Sequence, residues 1–148
     1  MEKPKWIDAV TGTMKIDPDE YSPVTSISRT ASLGYASAGW LYMLRRQKNT
    51  RIQAVASLGA MALSLWLQID LLSWALIILA ITIVWMAEFL NAAVEAAVNL
   101  ATTEVHPMAK VGKDVAAAAV LLGVVASAII GLLVLGPPLL ARFGIAIR

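Results

Sequence analysis

Glu88, Asn91, Glu95 and Asn99 lie in the stretch EFLNAAVEAAVN, separated only by alanine, valine, leucine and phenylalanine. On a helix of about 100° per residue with Glu88 at zero, Asn91 falls at about 300°, Glu95 at about 340° and Asn99 at about 20°. All four share one face, and Ala92, Ala93, Ala96 and Ala97 leave room near it. Ionisable groups on a membrane-embedded helix face are costly and mark function by default. The structural alternative is a polar seam that sets helix register in an oligomer. Depth separates the carboxylates. Glu88 is nearest the hydrocarbon, and Glu95 lies roughly 10 Å further along the axis. A substrate with a lipid tail and a reactive head meets Glu88 first, whereas an aqueous, charged substrate meets Glu95 first.

The next segment, ATTEVHPMAKVGKDVAAA, adds Glu104 and His106 before Pro107, then Lys113 and Asp114 at the opening of a further apolar helix. A negative charge such as Asp114 is favoured near a helix N-terminus. Lys113 can bind phosphate as a point charge. Each also has a plainer reading, Asp114 as a cap and Lys113 as an interfacial anchor. His106 alone reads as a loop residue. Carboxylates, a lysine and a helix N-terminus on one side of a membrane are the parts that phosphoryl transfer from Mg-ATP requires. Standard nucleotide motifs are absent. GYASAGW has Trp40 where a P-loop needs lysine, and VGKDV has no serine or threonine after its lysine. The residues lead to a membrane-interface site and name no reaction.

The elements that must hold these residues are apolar. The chain has 148 residues, enough for one domain, with 59% hydrophobic and 15% charged residues. Its mean hydropathy is +0.72. Soluble domains carry about 45–50% apolar residues, so the composition points to an all-α integral membrane protein. There is no cysteine, which excludes disulfides and thiolate sites, and a net charge of +2 gives no argument for nucleic acid. Three apolar segments are expected to span the bilayer: 52–67, 71–100 and 115–135, the last stopped by Gly136, Pro137 and Pro138. The second is long. Its 30 residues give about 45 Å of helix against a hydrocarbon core of about 30 Å, so the polar stripe projects from the membrane.

Lysine and arginine set the orientation. Lys3, Lys5, Lys15, Arg29, Arg45, Arg46, Lys48 and Arg51 precede the first span, and Lys110 and Lys113 lie between the second and third. The N-terminus and that loop are expected to be cytoplasmic. ISRTASLGYASAGWLYMLRR, with Tyr35, Trp40 and Tyr42, predicts an N-terminal helix along the cytoplasmic surface. Small residues crowd the first and third spans and permit close helix approach. No internal repeat is present.

EFLNAAVEAAVN followed by EVHPMAKVGKDVAAAAVLL closely resembles the bacterial diacylglycerol kinase family, one branch of which phosphorylates undecaprenol. The resemblance covers about residues 32–135. It implies an N-terminal surface helix plus three transmembrane helices, assembled as a homotrimer in the bacterial inner membrane. The sites are then shared between protomers and face the cytoplasm. It implies ATP as co-substrate, magnesium as cofactor and a lipid alcohol as acceptor. Carried over by position, Glu88 resembles the proton acceptor, Glu95 a metal ligand, and Asn91 a residue supporting the site. Tyr35, Glu104, His106, Lys113 and Asp114 fall where the family contacts ATP. The polar N-terminus, with Pro4, Pro18 and DPDE, is expected to be a flexible tail (1–24), followed by a membrane lipid-kinase domain (25–140) and a short C-terminal tail (141–148).

Two positions depart. The family's second metal-binding glutamate falls on Gln47, and the aspartate that closes the stripe is Asn99. Both changes remove negative charge. The block HPMAK…KDVAAAAVLL looks more like the undecaprenol branch. A family member with weakened or no catalysis, acting as a membrane-interaction protein, is the alternative.

Overall fold

The computed structural model describes residues 28–145, and these are helical with short connections. The expected tail over residues 1–24 lies outside them, as do the last three residues. Four helices follow in order: α1 Arg29–Arg46, α2 Lys48–Leu67, α3 Leu71–Ala101 and α4 Pro107–Arg142. The chain divides at Leu41 and Tyr42 into two compact units. In the first, α1 is exposed on nearly every side, with Leu33 at 70% and Tyr35 at 60%. Within the second unit, Gln47 adopts an extended conformation (φ −96°, ψ 119°) that separates α1 from α2. Its N–H still closes the preceding turn on the Met43 carbonyl at 3.0 Å.

At the other end of α2, Gln68 takes the left-handed conformation (φ 54°) and ends the helix. Asp70 then caps α3. Its Oδ1 accepts from the N–H groups of Leu72 and Ser73, and its Oδ2 accepts from the Ser73 hydroxyl. Gln68–Asp70 is thus the turn that separates the first two apolar segments. The chain reverses there because Gln68 stops one helix and Asp70 supplies acceptors for the orphan N–H groups of the next.

α3 and α4 are long and apolar enough to cross a membrane, at 31 and 36 residues. Only 22% and 11% of their most apolar windows are buried within the chain. A core helix of a soluble protein would be mostly covered, so this apolar surface faces lipid or other chains. The two helices pack along each other. At Gly123, a Cβ would stand 3.7–3.8 Å from Ile83, Ala87 and Val84. Close by, the Ser127 hydroxyl donates to the Ala80 carbonyl at 2.9 Å. α2 joins them through Trp85, whose indole N–H donates to the Ser57 hydroxyl at 3.1 Å. Far from the polar stripe, Leu67, Ile77 and Leu135 form a buried cluster that gathers all three helices. Arg142 closes that end over the Trp66 ring, 5.3 Å from its centroid.

Two expectations about α4 are corrected. The helix does not stop at Gly136–Pro138 but continues through Pro137 and Pro138 to Arg142. Proline's fixed φ is itself helical, and apolar surroundings offer no water to replace the remaining backbone bonds. Packing of Val134, Leu135 and Leu139 against the cluster holds the segment in place. The helix also begins at Pro107, so Lys113 and Asp114 do not open it. Asp114 stands two turns inside and pairs with Lys110 on the exposed surface. It therefore neither caps the helix nor sits at its positive end.

Candidate active site

The stripe lies at the C-terminal end of α3, facing the start of α4 and the start of α2. Glu88 is the deepest of its members, 4% exposed, and shares the buried face of α3 with the apolar Ile77, Ala80 and Val84. It lies at one end of a groove of about 370 Å³ between α2, α3 and α4. Val84, Ala80 and Ile77 line the groove on α3, Val124 and Leu135 on α4, and Ile52 and Ala56 on α2. From Ile77 to Glu88 it follows roughly 16 Å of helix axis. Polar side chains collect at the Glu88 end, where Asn49 and Gln53 complete the lining from α2. The Asn49 side chain stands against the Glu88 carboxylate.

Asn49 and Gln53 are the residues that sequence reasoning missed. α2 was expected from residue 52, whereas it begins at Lys48, which places Asn49 in its first turn. The available signal was the spacing of four between Asn49 and Gln53, which puts two amides on one face ahead of Ala56, Ser57 and Ala60.

One turn beyond Glu88, Asn91 donates its side-chain N–H to Glu95 Oε1 at 3.3 Å. Its Oδ1 is buried without a partner. Asn91 also borders a second groove, of about 450 Å³, between α3 and the first turns of α4. Asn99 accepts from Lys113 Nζ at 2.7 Å, which ties the end of the stripe to α4. The structure thus brings Lys113 to the stripe and leaves Asp114 with Lys110.

His106 has a structural duty that its loop position did not suggest. It is the N-cap of α4, and its Nδ1 accepts from the Met108 N–H at 3.2 Å. The neutral ring then carries its proton on Nε2. Pro107 at the first helical position needs no partner for a missing N–H. Glu104 is exposed in the connection, and its N–H donates to Thr102 Oγ1 at 3.1 Å. Gln47 is half-buried, and its side chain makes no capping bond. Tyr35 belongs to the first unit, where it is exposed on α1.

The donor chemistry near Glu95 suits a magnesium ion. Mg²⁺ prefers oxygen and is usually held by one or two carboxylates, with substrate phosphates completing the shell. The Glu95 carboxylate, oriented by the Asn91 N–H, is a donor of that kind, and the half-buried Gln47 carries a neutral amide oxygen. Among the described residues no group of three His, Cys, Asp or Glu side chains could enclose a metal. The fit is therefore to an ion completed by phosphate oxygens.

Fold and site together define an all-helical protein with membrane-length apolar helices and carboxylates graded by depth at one end of a helix pair. The family model of the prokaryotic diacylglycerol kinases matches residues 34–135. The chain belongs to this family of lipid kinases. It is 35% identical over 108 residues to the undecaprenol kinase of Bacillus subtilis, covering 73% of this chain and 88% of that one. It is 36% identical over 111 residues to the diacylglycerol kinase of Synechocystis sp., covering 74% of this chain and 63% of that longer one. With the diacylglycerol kinase of Escherichia coli it shares 31% identity over 96 residues, covering 65% of this chain and 79% of that one.

Proposed function

We propose that this protein transfers the γ-phosphoryl group of Mg-ATP to a membrane lipid alcohol at the cytoplasmic interface, with undecaprenol as the acceptor. The observation that carries this reading is Glu88, a carboxylate 4% exposed at the polar end of an apolar groove. A lipid alcohol matches it, with an apolar body for the groove and a hydroxyl for the carboxylate. The likeness to the Bacillus subtilis undecaprenol kinase, over most of that protein's length, supports the choice of acceptor.

In this reading Glu88 takes the hydroxyl proton while the acceptor oxygen bonds to the γ-phosphorus. The bond from that phosphorus to the β,γ-bridging oxygen breaks, and ADP leaves. A base of this kind contributes about 10²–10⁴-fold to a rate. Glu95, with Gln47 as a second ligand, would hold magnesium, and the ion would neutralise phosphate charge. Asn91 orients Glu95 through the bond it donates. Lys113, steadied by Asn99, meets phosphate oxygens, and Tyr35, Glu104, His106 and Asp114 contact the nucleotide. α2 is the third membrane span, α1 lies on the cytoplasmic surface, and the N-terminus is cytoplasmic. Three protomers assemble with shared sites, and the catalytic domain is residues 25–140.

The test is one assay. The purified protein in detergent receives Mg-ATP with undecaprenol or diacylglycerol in parallel, and the phosphorylated product names the acceptor. The neutral residues Gln47 and Asn99 favour one competing reading, a non-catalytic membrane-interaction protein. Absence of product with either lipid, including from the Gln47→Glu variant, would select it.

A further inference from the structure

The groove beside Glu88 contains a polar atom that the fold leaves unused. Gln53 lies on α2 one turn after Asn49, and both line the polar end of the groove with Glu88. Its Nε2 is buried and has no hydrogen-bond partner. A buried N–H donor in an apolar setting without an acceptor is unfavourable, and folded proteins keep few of them. Further along the groove the Ser127 hydroxyl donates to the Ala80 carbonyl, and the Ser57 hydroxyl accepts from the Trp85 indole N–H. Thr50 Oγ1, on the same helix, is also buried without a partner, but Thr50 does not line the groove. Gln53 does, and it lies where the groove ends on a carboxylate.

The chemistry of that end is asymmetric. Glu88, when ionised, only accepts hydrogen bonds, whereas the amide nitrogen of Gln53 only donates. A hydroxyl group is the complement of this pair, since it carries one O–H donor and two lone pairs on the same oxygen. A phosphate is not: its oxygens offer acceptors alone and would face the Glu88 carboxylate with like charge.

Resting on the lipid-kinase reading above, we propose that Gln53 binds the acceptor hydroxyl. It donates from Nε2 to the hydroxyl oxygen while the hydroxyl proton points to Glu88. The residue is thereby a determinant of alcohol recognition. It holds the reacting oxygen against the base, and it discriminates against apolar molecules that fill the groove without a hydroxyl. As that oxygen loses its proton its negative charge grows, and the same N–H strengthens its hold.

The experiment compares full-length wild type with Gln53→Met, which keeps the length of the side chain and removes the donor, and with Gln53→Leu. The substrate is undecaprenol or diacylglycerol, whichever wild type phosphorylates. The competitor is the same lipid with hydrogen in place of the accepting hydroxyl. Two quantities are read: KM for the alcohol, and the inhibition constant of the deoxy competitor. In Gln53→Met, KM for the alcohol rises about tenfold, the scale of one lost hydrogen bond. The deoxy competitor binds both proteins alike, and KM for ATP is unchanged. A purely structural defect would shift all three together. Equal preference for alcohol over deoxy competitor in wild type and Gln53→Met overturns the proposal while leaving the kinase reading intact. A wild type that phosphorylates neither lipid overturns the kinase reading itself, and that result appears in the wild-type arm before any variant is compared.

Discussion

Lys113 on α4 donates from Nζ to the side-chain oxygen of Asn99 on α3, at 2.7 Å. The contact crosses the gap between the two longest helices, and its partner is neutral. A carboxylate at position 99 would hold the ammonium more tightly and cancel its charge. The amide positions the lysine and leaves its positive charge available to an anionic ligand. Lys113→Met is expected to raise KM for ATP by about tenfold or more, the scale of one hydrogen bond to a charged group. Asn99→Ala, which frees the lysine without removing it, should raise it less. Nucleotide titrations on both variants give the order, and a larger effect from Asn99→Ala would contradict it.

The two carboxylates of the stripe should separate in kinetics as they do in depth. Glu88→Gln keeps shape and removes the base, so kcat is expected to fall about 10²–10⁴-fold while Mg-ATP binding persists. Glu95→Gln should weaken Mg-ATP binding instead. Asn91→Ala, which removes the donor to Glu95, is expected to act in the same direction by about 10–100-fold in metal affinity. Turnover assays and equilibrium titrations across a magnesium series check the split. Unchanged turnover in Glu88→Gln would remove that residue from the chemistry.

Packing at Gly123 gives a prediction about stability alone. A methyl group there would meet Ile83, Ala87 and Val84 at 3.7–3.8 Å, which is ordinary contact. Glycine in a helix interior costs about 0.5–1 kcal/mol relative to alanine. Gly123→Ala is therefore expected to be neutral or stabilising by about that amount. Gly123→Leu forces α3 and α4 apart and costs about 1–3 kcal/mol through overpacking. Thermal unfolding in detergent measures both, and a destabilised alanine variant would show that the helices approach more closely than this.

Asp70 links the turn before α3 to pH. The Ser73 hydroxyl, followed by the backbone N–H groups of Ser73 and Leu72, holds its carboxyl below the ordinary aspartate value. A lowered carboxylate pKa means that the folded state favours the ionised form. Its contribution is present above the unfolded pKa and is lost as pH falls through the lower folded value. Wild type is expected to lose stability on acidification below pH 4, near the ordinary aspartate value of 3.8. Asp70→Asn should show a flatter dependence over the same range. Melting curves at stepped pH compare the two, and identical slopes would show that the cap does not titrate with folding.

Much of this architecture was readable from periodicity. A helical repeat placed Glu88, Asn91, Glu95 and Asn99 on one face, and the long apolar run 71–100 marked α3 almost to the residue. A helix containing Pro137 and Pro138 was not readable, because local propensity stops a helix that tertiary packing against Leu67 and Ile77 sustains. The start of α4 was misplaced for a related reason. Histidine is a weak cap by type, and only its geometry, with Nδ1 turned to the Met108 N–H, reveals the boundary.

By itself the sequence determined the helical class, the apolar surface that seeks a membrane, the family, and which polar groups share a helix face. Those properties follow from composition and from the fixed angle between successive residues of one helix. Tertiary structure decided which groups meet. It set Asn49 and Gln53 on α2 around the buried Glu88, and it brought Lys113 rather than Asp114 to the stripe. The physical reason is that a helical repeat relates residues within a helix, whereas contacts between helices depend on where they start, how they cross, and which small residues let them approach.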